Sequence, residues 1–219
     1  LILIMIDLGI HVQDNFFKDP YEVRRTILNQ SFSDSEYAWP GFRSVTPERI
    51  SNYILESARR VVQVPGLQLC GEGGTNCQYI TKEYGEGSFH HDGDGTPGHD
   101  GADFTSINFL SLEPPVDSGT EVCDSTGNPD ATGIIDMELW GKHLREKEKF
   151  YKNPKPFINS YKYARLVKRI NSHFDPTAKI PNKFNRWLIF DSNRHHRAQK
   201  FFGTSASNAR LIIVCFFKK

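Results

Sequence analysis

The sequence lacks an excess of either charge. Its 27 Lys and Arg face 26 Asp and Glu, for a formal net charge of +1. Nucleic-acid binders usually carry a clear basic excess, so neither that class nor an anionic membrane surface has a global electrostatic argument. Long apolar runs are missing too. The longest stretch near the start, Leu1–Ile6, falls far short of the roughly 20 residues a membrane-spanning helix needs. It also lacks the basic leader and small-residue cleavage site of a signal peptide. A cytoplasmic location with no membrane partner is the expectation. Cysteine is scarce: four Cys in 219 residues do not make a disulfide framework. Cys70 and Cys77 are close enough in sequence to bridge a loop, but reduced thiols are the default. Their spacing is also wider than the about two to four residues of a zinc knuckle. No internal repeat and no low-complexity tract occurs.

What the chain does have is aromatic residues. With 16 Phe, 8 Tyr and 3 Trp, and a hydrophobic fraction of 38%, it has the material for a core and none of the signature of disorder. The length suits one domain over residues 1–219. A first strand is expected within Ile10–Phe16. Asp19-Pro20 reads as an N-cap followed by proline at the first helical position, opening a helix to about Gln30. Ser31–Pro40 has the composition of a loop. Thr46-Pro47-Glu48 opens a second helix, whose Ile50, Tyr53, Ile54, Ala58 and Val61 recur at helical spacing; Pro65-Gly66 ends that region. Four short runs then read as strands: Cys77–Thr81, Thr105–Ser111, Trp187–Phe190 and Leu211–Phe217. No helix alternates regularly with them, so the sheet is expected to be antiparallel. Met137–Tyr151 and Ile158–Phe174 form a helical insertion, about residues 136–176. The whole suits a barrel or jelly roll supported by helices.

The densest polar cluster is Phe89-His90-His91-Asp92 and the Gly-rich residues after it. On a strand, residues i and i+2 share a face, so His90 and Asp92 can grip one metal from one side. A third ligand has to come from a distant strand. His195 and His196, just past the run Trp187–Phe190, are the candidates. Two His and one carboxylate on one face leave the other hemisphere of the ion open, as in non-heme Fe(II) oxygenases. A closed tetrahedron of four protein ligands would suit structural zinc instead. A lone His-x-Asp is a common polar-loop pattern. Its order with a strand, a Gly-Thr turn, a late strand, a His and an Arg-led final strand is far more specific. His91, Asp94, His99, Asp100 and Asp103 crowd the same loop and read as part of a Gly-rich lid. Asp92-Gly93-Asp94-Gly95 lacks the spacing and closing Glu of an EF-hand. Lys142–Lys155 reads as a solvated helix face, and Trp39, Phe42 and Trp187 as core.

Taken together, His90-His91-Asp92, Ser106–Ser111, Asp117–Thr120, Asn185–Arg197 and Ala209-Arg210-Leu211 resemble the prolyl-4-hydroxylase-like branch of the Fe(II)/2-oxoglutarate-dependent oxygenases. A poorly characterised microbial and viral group within that branch is the most similar. His11–Phe17 resembles the usual first strand and turn. The likeness spans most of the chain apart from the charged insertion. It implies a mainly β fold with flanking helices (α+β): a double-stranded β-helix, or cupin-like jelly roll, with N-terminal supporting helices.

The resemblance also implies a site. His196, six positions after Phe190, fits the family's distal His, and His195 is one short. His90, Asp92 and His196 would then be both the metal ligands and the catalytic residues, with Fe(II) as metal, 2-oxoglutarate as cosubstrate and O2 as oxidant. Arg210, fourteen positions after His196, would pair with the far carboxylate of 2-oxoglutarate, since a guanidinium fork matches a carboxylate. The family often places Ser or Thr two residues after this Arg. Ile212 stands there, so Tyr79, Thr81 or Asn108 is expected to supply the second partner. Arg194, Arg197 and Lys200 sit nearer the metal ligand and are expected to meet solvent or substrate. An acid at Asp92, where a halogenase would need a small residue, favours hydroxylation. Two alternatives remain at this point: a non-catalytic binding module on the same barrel, and a cupin-type metalloenzyme that does not use 2-oxoglutarate. The expected substrate is a peptide, a protein or a small molecule, with no nucleic-acid partner.

Overall fold

The computed structural model describes residues 9–34, 39–71, 73–93, 101–127, 129, 132–152 and 157–219. Asp94, His99 and Asp100 of the expected lid lie outside these. Two helices come early; the first is capped as expected, whereas the second starts one residue later than the Thr-Pro signal implies, with Pro47 at the N-cap and no side-chain cap. In α1 (Pro20–Leu28) the Asp19 side chain accepts the Glu22 N–H at 3.0 Å, satisfying a helix-end donor. In α2 (Glu48–Val62) Ile50, Ile54 and Ala58 are buried along one face, and the helix ends at Gln63 in the left-handed region.

Every strand pairing is antiparallel among the described residues. The large sheet runs β1 (Ile10–Gln13), β9 (Arg186–Asp191), β6 (Phe104–Phe109), β11 (Arg210–Lys218), β5 (Thr75–Ile80), β3 (Phe42–Val45) and β2 (Ser33–Asp34), with β4 (Gln68–Leu69) also on β11. The small sheet is β10 (Arg194–Ala198), β7 (Thr120–Thr126) and β8 (Ala178–Ile180). The segment around His90 adds to its edge: His90 and His196 exchange both backbone hydrogen bonds, at 3.1 and 2.8 Å, and the Asp92 N–H donates to Ser192 O at 2.8 Å. Two facing antiparallel sheets with helices against one of them form a double-stranded β-helix.

The large sheet is covered on both faces, and its strands read as unbroken apolar runs for that reason. Leu211, Ile213, Cys215 and Phe217 of β11 pack with Trp187 and with Ile27, Ile50 and Ile54 of α1 and α2. Ile212, Val214 and Phe216 face the other way, toward Ile107, Phe109, Leu188 and Val122. The insertion forms α3 (Met137–Lys152) and α4 (Phe157–Asn171). It docks through two clusters, one around Tyr84, Tyr151, Tyr163 and Phe201, the other around Phe89, Leu139, Ile170 and Phe174. Gly119, between β7 and the turn before it, has no room for a side chain, because an added Cβ would collide with the Ile180 carbonyl. All four Cys are buried and none is in a disulfide.

Several elements differ from the sequence expectation. The first strand stops at Gln13, because the chain turns through Asn15 at positive φ. The expected loop at Ser31–Pro40 contains the two-residue strand β2. Strands β3, β7, β8 and β10 have no counterpart in the apolar pattern. Their sequences are mixed or polar, and neighbouring chain rather than composition makes them strands.

Asp14 ties the end of β1 to the start of β9. It accepts Arg186 Nε at 2.6 Å and Nη2 at 3.1 Å, and Lys183 Nζ at 2.8 Å. The Arg186 hydrogen bond leads in lowering its pKa from 3.8 to about 2. A depressed carboxylate stabilises the fold above its unfolded pKa, and that contribution is lost as pH falls through the folded one. Asp14→Asn should therefore cost roughly 1 kcal/mol near neutrality, with the difference from wild type closing between pH 4 and 2. Urea unfolding at a series of pH values checks this; a pH-independent difference would contradict it.

Candidate metal centre

The cross-strand pair His90–His196 puts two imidazoles side by side, their centroids 4.5 Å apart. Asp92, two residues along from His90, reaches the same point. His196 Nε2 lies 3.2 Å from Asp92 Oδ2, and His90 Nε2 lies 3.8 Å from Asp92 Oδ1. One ligand atom from each residue falls within 4.8 Å of the others, and no fourth His, Cys, Asp or Glu joins them among the described residues.

The hydrogen bonds behind these side chains fix which atoms face inward. His90 Nδ1 meets the Ser88 carbonyl at 2.9 Å, and His196 Nδ1 meets the Arg194 carbonyl at 3.0 Å. A carbonyl only accepts, so each Nδ1 carries a proton, and in both rings Nε2 is the atom turned toward Asp92. Backbone carbonyls hold metal-binding imidazoles in this way. Asp92 is 3% exposed. Its Oδ2 accepts the Thr105 hydroxyl at 2.9 Å, and Thr105 in turn meets Ser192 Oγ at 2.8 Å.

Two ring nitrogens and a buried carboxylate crowded at one point are stable together only with a proton or a cation among them. The titration of the rings expresses this. Burial, then the neighbouring His196, pulls His90 down to about 3. Burial would lower His196 as well, but the Asp92 charge and hydrogen bond raise it. The donor set of two imidazoles and a carboxylate, with one side free of protein ligands, fits a divalent ion of the iron type.

His195 is on the opposite side. β10 is a strand through this point, with an irregularity between Arg194 and His196, so the two neighbouring histidines alternate. The His195 ring sits against Phe174 and hydrogen-bonds Ser125. His91 packs against His195, and Asp103 accepts the Lys219 N–H near the end of the chain; neither joins the triad.

A cavity of about 100 Å³ connects the triad with Arg210, between walls from Ile107, Ile212, Val214 and Phe216. Arg210 is 2% exposed. Its Nε donates to Ser118 O at 3.3 Å, its Nη2 to Thr120 Oγ1 at 3.2 Å, and its guanidinium lies 5.5 Å from the Phe109 ring centre. Burial lowers its pKa to about 10, so it stays charged at neutral pH. Among the described residues no carboxylate pairs with it. The competing cations differ in this respect. Arg197 is held by Glu121 and Glu86, Arg194 by Asp124 and Lys200 by Asp117.

The structure does not bring Tyr79, Thr81 or Asn108 to the cavity. Gln78 and Ile80 of β5, and Thr105 and Ile107 of β6, line it. Strand alternation therefore turns Tyr79 and Asn108 to the other face, where Tyr79 stacks on Phe42 at 4.7 Å. Sequence reasoning missed Thr105, Ser192 and Thr120, whose roles depend on partners from other strands. It also missed two cavity residues, Arg43 of β3 and Lys147 of α3. Trp39, expected in the core, lines the cavity as well, 5.6 Å from the His90 ring.

No protein-family model matches the chain, and no curated protein sequence matches it. Its fold is shared with solved structures. SnoN, described as a non-heme α-ketoglutarate-dependent epimerase from nogalamycin biosynthesis, aligns with TM-score 0.58 and 14% identity over 96% of this chain and 76% of that one. HygX from Streptomyces hygroscopicus, solved with nickel and 2-oxoglutarate, gives 0.56 and 12% over 95% and 82%. SnoK, described as a carbocyclase with the same dependence, gives 0.53 and 12% over 95% and 79%. The chain thus has the double-stranded β-helix that these α-ketoglutarate-dependent enzymes have. Among the described residues no helix is long and apolar enough to cross a membrane.

Replacing His90, Asp92 or His196 with Ala should abolish stoichiometric Co(II) binding, followed by the visible absorption of the bound ion. Thr105→Val, which removes the hydroxyl behind Asp92, should weaken binding by about 10–100-fold. Unchanged affinity in any of the three Ala variants would contradict the site.

Proposed function

We propose that the chain is an Fe(II)- and 2-oxoglutarate-dependent dioxygenase that hydroxylates an unactivated C–H bond. The observation that carries this is the shared cavity: three converging side chains able to bind a metal, and a buried Arg210 with no carboxylate partner among the described residues, face the same space. Iron with bound 2-oxoglutarate and O2 supplies the oxidation, in which the cosubstrate becomes succinate and CO2 and the substrate gains oxygen. The protein holds the parts in place. His90, Asp92 and His196 are the ligands, oriented by Ser88, Arg194 and Thr105. Arg210 takes the far carboxylate of the cosubstrate, with Thr120 and Ser118 fixing its fork. Thr120 lines the same cavity and its hydroxyl already accepts from Arg210 Nη2, which makes it the candidate to replace the Ser or Thr absent at Ile212. Ile107, Ile212, Val214 and Phe216 keep water from the reacting centre.

Asp92 occupies a coordination position that halide would otherwise need, which favours hydroxylation. The unit acts as a single domain in which the insertion α3–α4 closes one flank of the site. The fold hosts many reactions, and its holders include HygX solved with hygromycin B bound. A small molecule therefore stands beside a peptide or protein as the substrate class. A cytoplasmic setting suits the four reduced thiols.

Anaerobically purified protein given Fe(II), 2-oxoglutarate and O2 should release succinate even without substrate. Arg210→Ala should raise the 2-oxoglutarate KM at least about 30-fold, since breaking a buried charge pair costs about 2 kcal/mol or more. An unaltered KM would favour a metalloenzyme that does not use 2-oxoglutarate.

A further inference from the structure

Arg43 and Lys147 both line the cavity, one from the strand β3 and the other from the insertion helix α3. Both reach the indole of Trp39, with the Arg43 guanidinium 5.5 Å and the Lys147 ammonium 4.3 Å from its ring centre. That contact holds two like charges in place. Neither cation has an ion-pair partner among the described residues, and Arg43 Nε is buried without a hydrogen bond. Among the described residues, the carboxylate whose charge reaches both is Asp92.

Charge counting shows what this arrangement wants. On the function proposed above, on which this inference rests, Asp92 belongs to the metal. A divalent ion, Asp92, the two carboxylates of 2-oxoglutarate and Arg210 sum to zero. Arg43 and Lys147 then leave about two positive charges facing the cavity that no carboxylate among the described residues pairs with. A planar fork with an unused N–H and a point charge across a flat aromatic surface is a receptor for an oxyanion. We propose that the primary substrate carries an anionic oxygen group, a carboxylate or a phosphate, which seats between Arg43 and Lys147 against Trp39. The insertion thereby helps to select the substrate, and the anion fixes which C–H bond lies beside the metal.

The test uses full-length protein loaded with Ni(II), which does not turn over, and 2-oxoglutarate. Inorganic phosphate and acetate are titrated separately while the indole N–H resonance of Trp39 is followed, assigned by Trp39→Phe. Phosphate or acetate should shift that resonance to saturation, and the stronger of the two identifies the group. Arg43→Gln/Lys147→Gln should weaken the response at least tenfold, while 2-oxoglutarate affinity stays within about twofold. Three results overturn the inference: no shift with either anion, an undiminished shift in the double variant, or a large loss of 2-oxoglutarate affinity in that variant, which would make the two cations part of the cosubstrate site. If Ni(II) and 2-oxoglutarate fail to bind the wild type, the oxygenase reading falls and this inference with it. If they bind and the anions do not, this inference falls alone.

Discussion

The site depends on one antiparallel pair. His90 and His196 lie directly opposite one another and exchange both of their backbone hydrogen bonds. Residues in such a register project their side chains to the same face at close range. Their separation of 106 positions in the chain is thereby reduced to a contact between rings, and Asp92 follows by the two-residue repeat. A slip of one residue in this pairing would turn His195 inward and His196 outward. Both flanks guard against that slip: the Gly87 N–H donates to Ala198 O, and the Asp92 N–H to Ser192 O.

The same sheet arithmetic separates the two ends of the cavity from the core. In β11 the even positions from Arg210 to Phe216 look inward and the odd ones pack against α1 and α2. One strand thus serves as support on one face and as cavity wall on the other. The apolar neighbours that desolvate Arg210 also leave its charge unanswered, so a carboxylate entering there meets a cation already stripped of water. Its other partners, Ser118 O and Thr120 Oγ1, accept hydrogen bonds without neutralising it.

Much of this was legible in the sequence, and the limits have physical causes. The two early helices and the apolar strands β5, β6, β9 and β11 were visible because local chemistry and burial both leave a pattern. His90 and Asp92 were visible by spacing, and His196 and Arg210 through the family resemblance. The polar strands β7 and β10 were not visible, because one face of each lines the site or its supports and so breaks the apolar pattern. Tyr79 and Asn108 were expected at the cosubstrate, but strand parity turns them away, and the parity of a strand relative to a distant cavity is set by its register. Lys147 reads in sequence as one more charge on a solvated helix. Only the docking of α3 against the small sheet turns it toward Trp39.

The central claim is a metal held on one side with exchangeable positions on the other. Electron paramagnetic resonance of the Fe(II) protein exposed to nitric oxide tests it most directly, because the gas reports a coordination position that small molecules can reach. The structure predicts a high-spin iron–nitrosyl signal that 2-oxoglutarate changes in shape, and that His196→Ala removes while His195→Ala leaves it in place. A silent spectrum, or a signal indifferent to 2-oxoglutarate, would contradict the account.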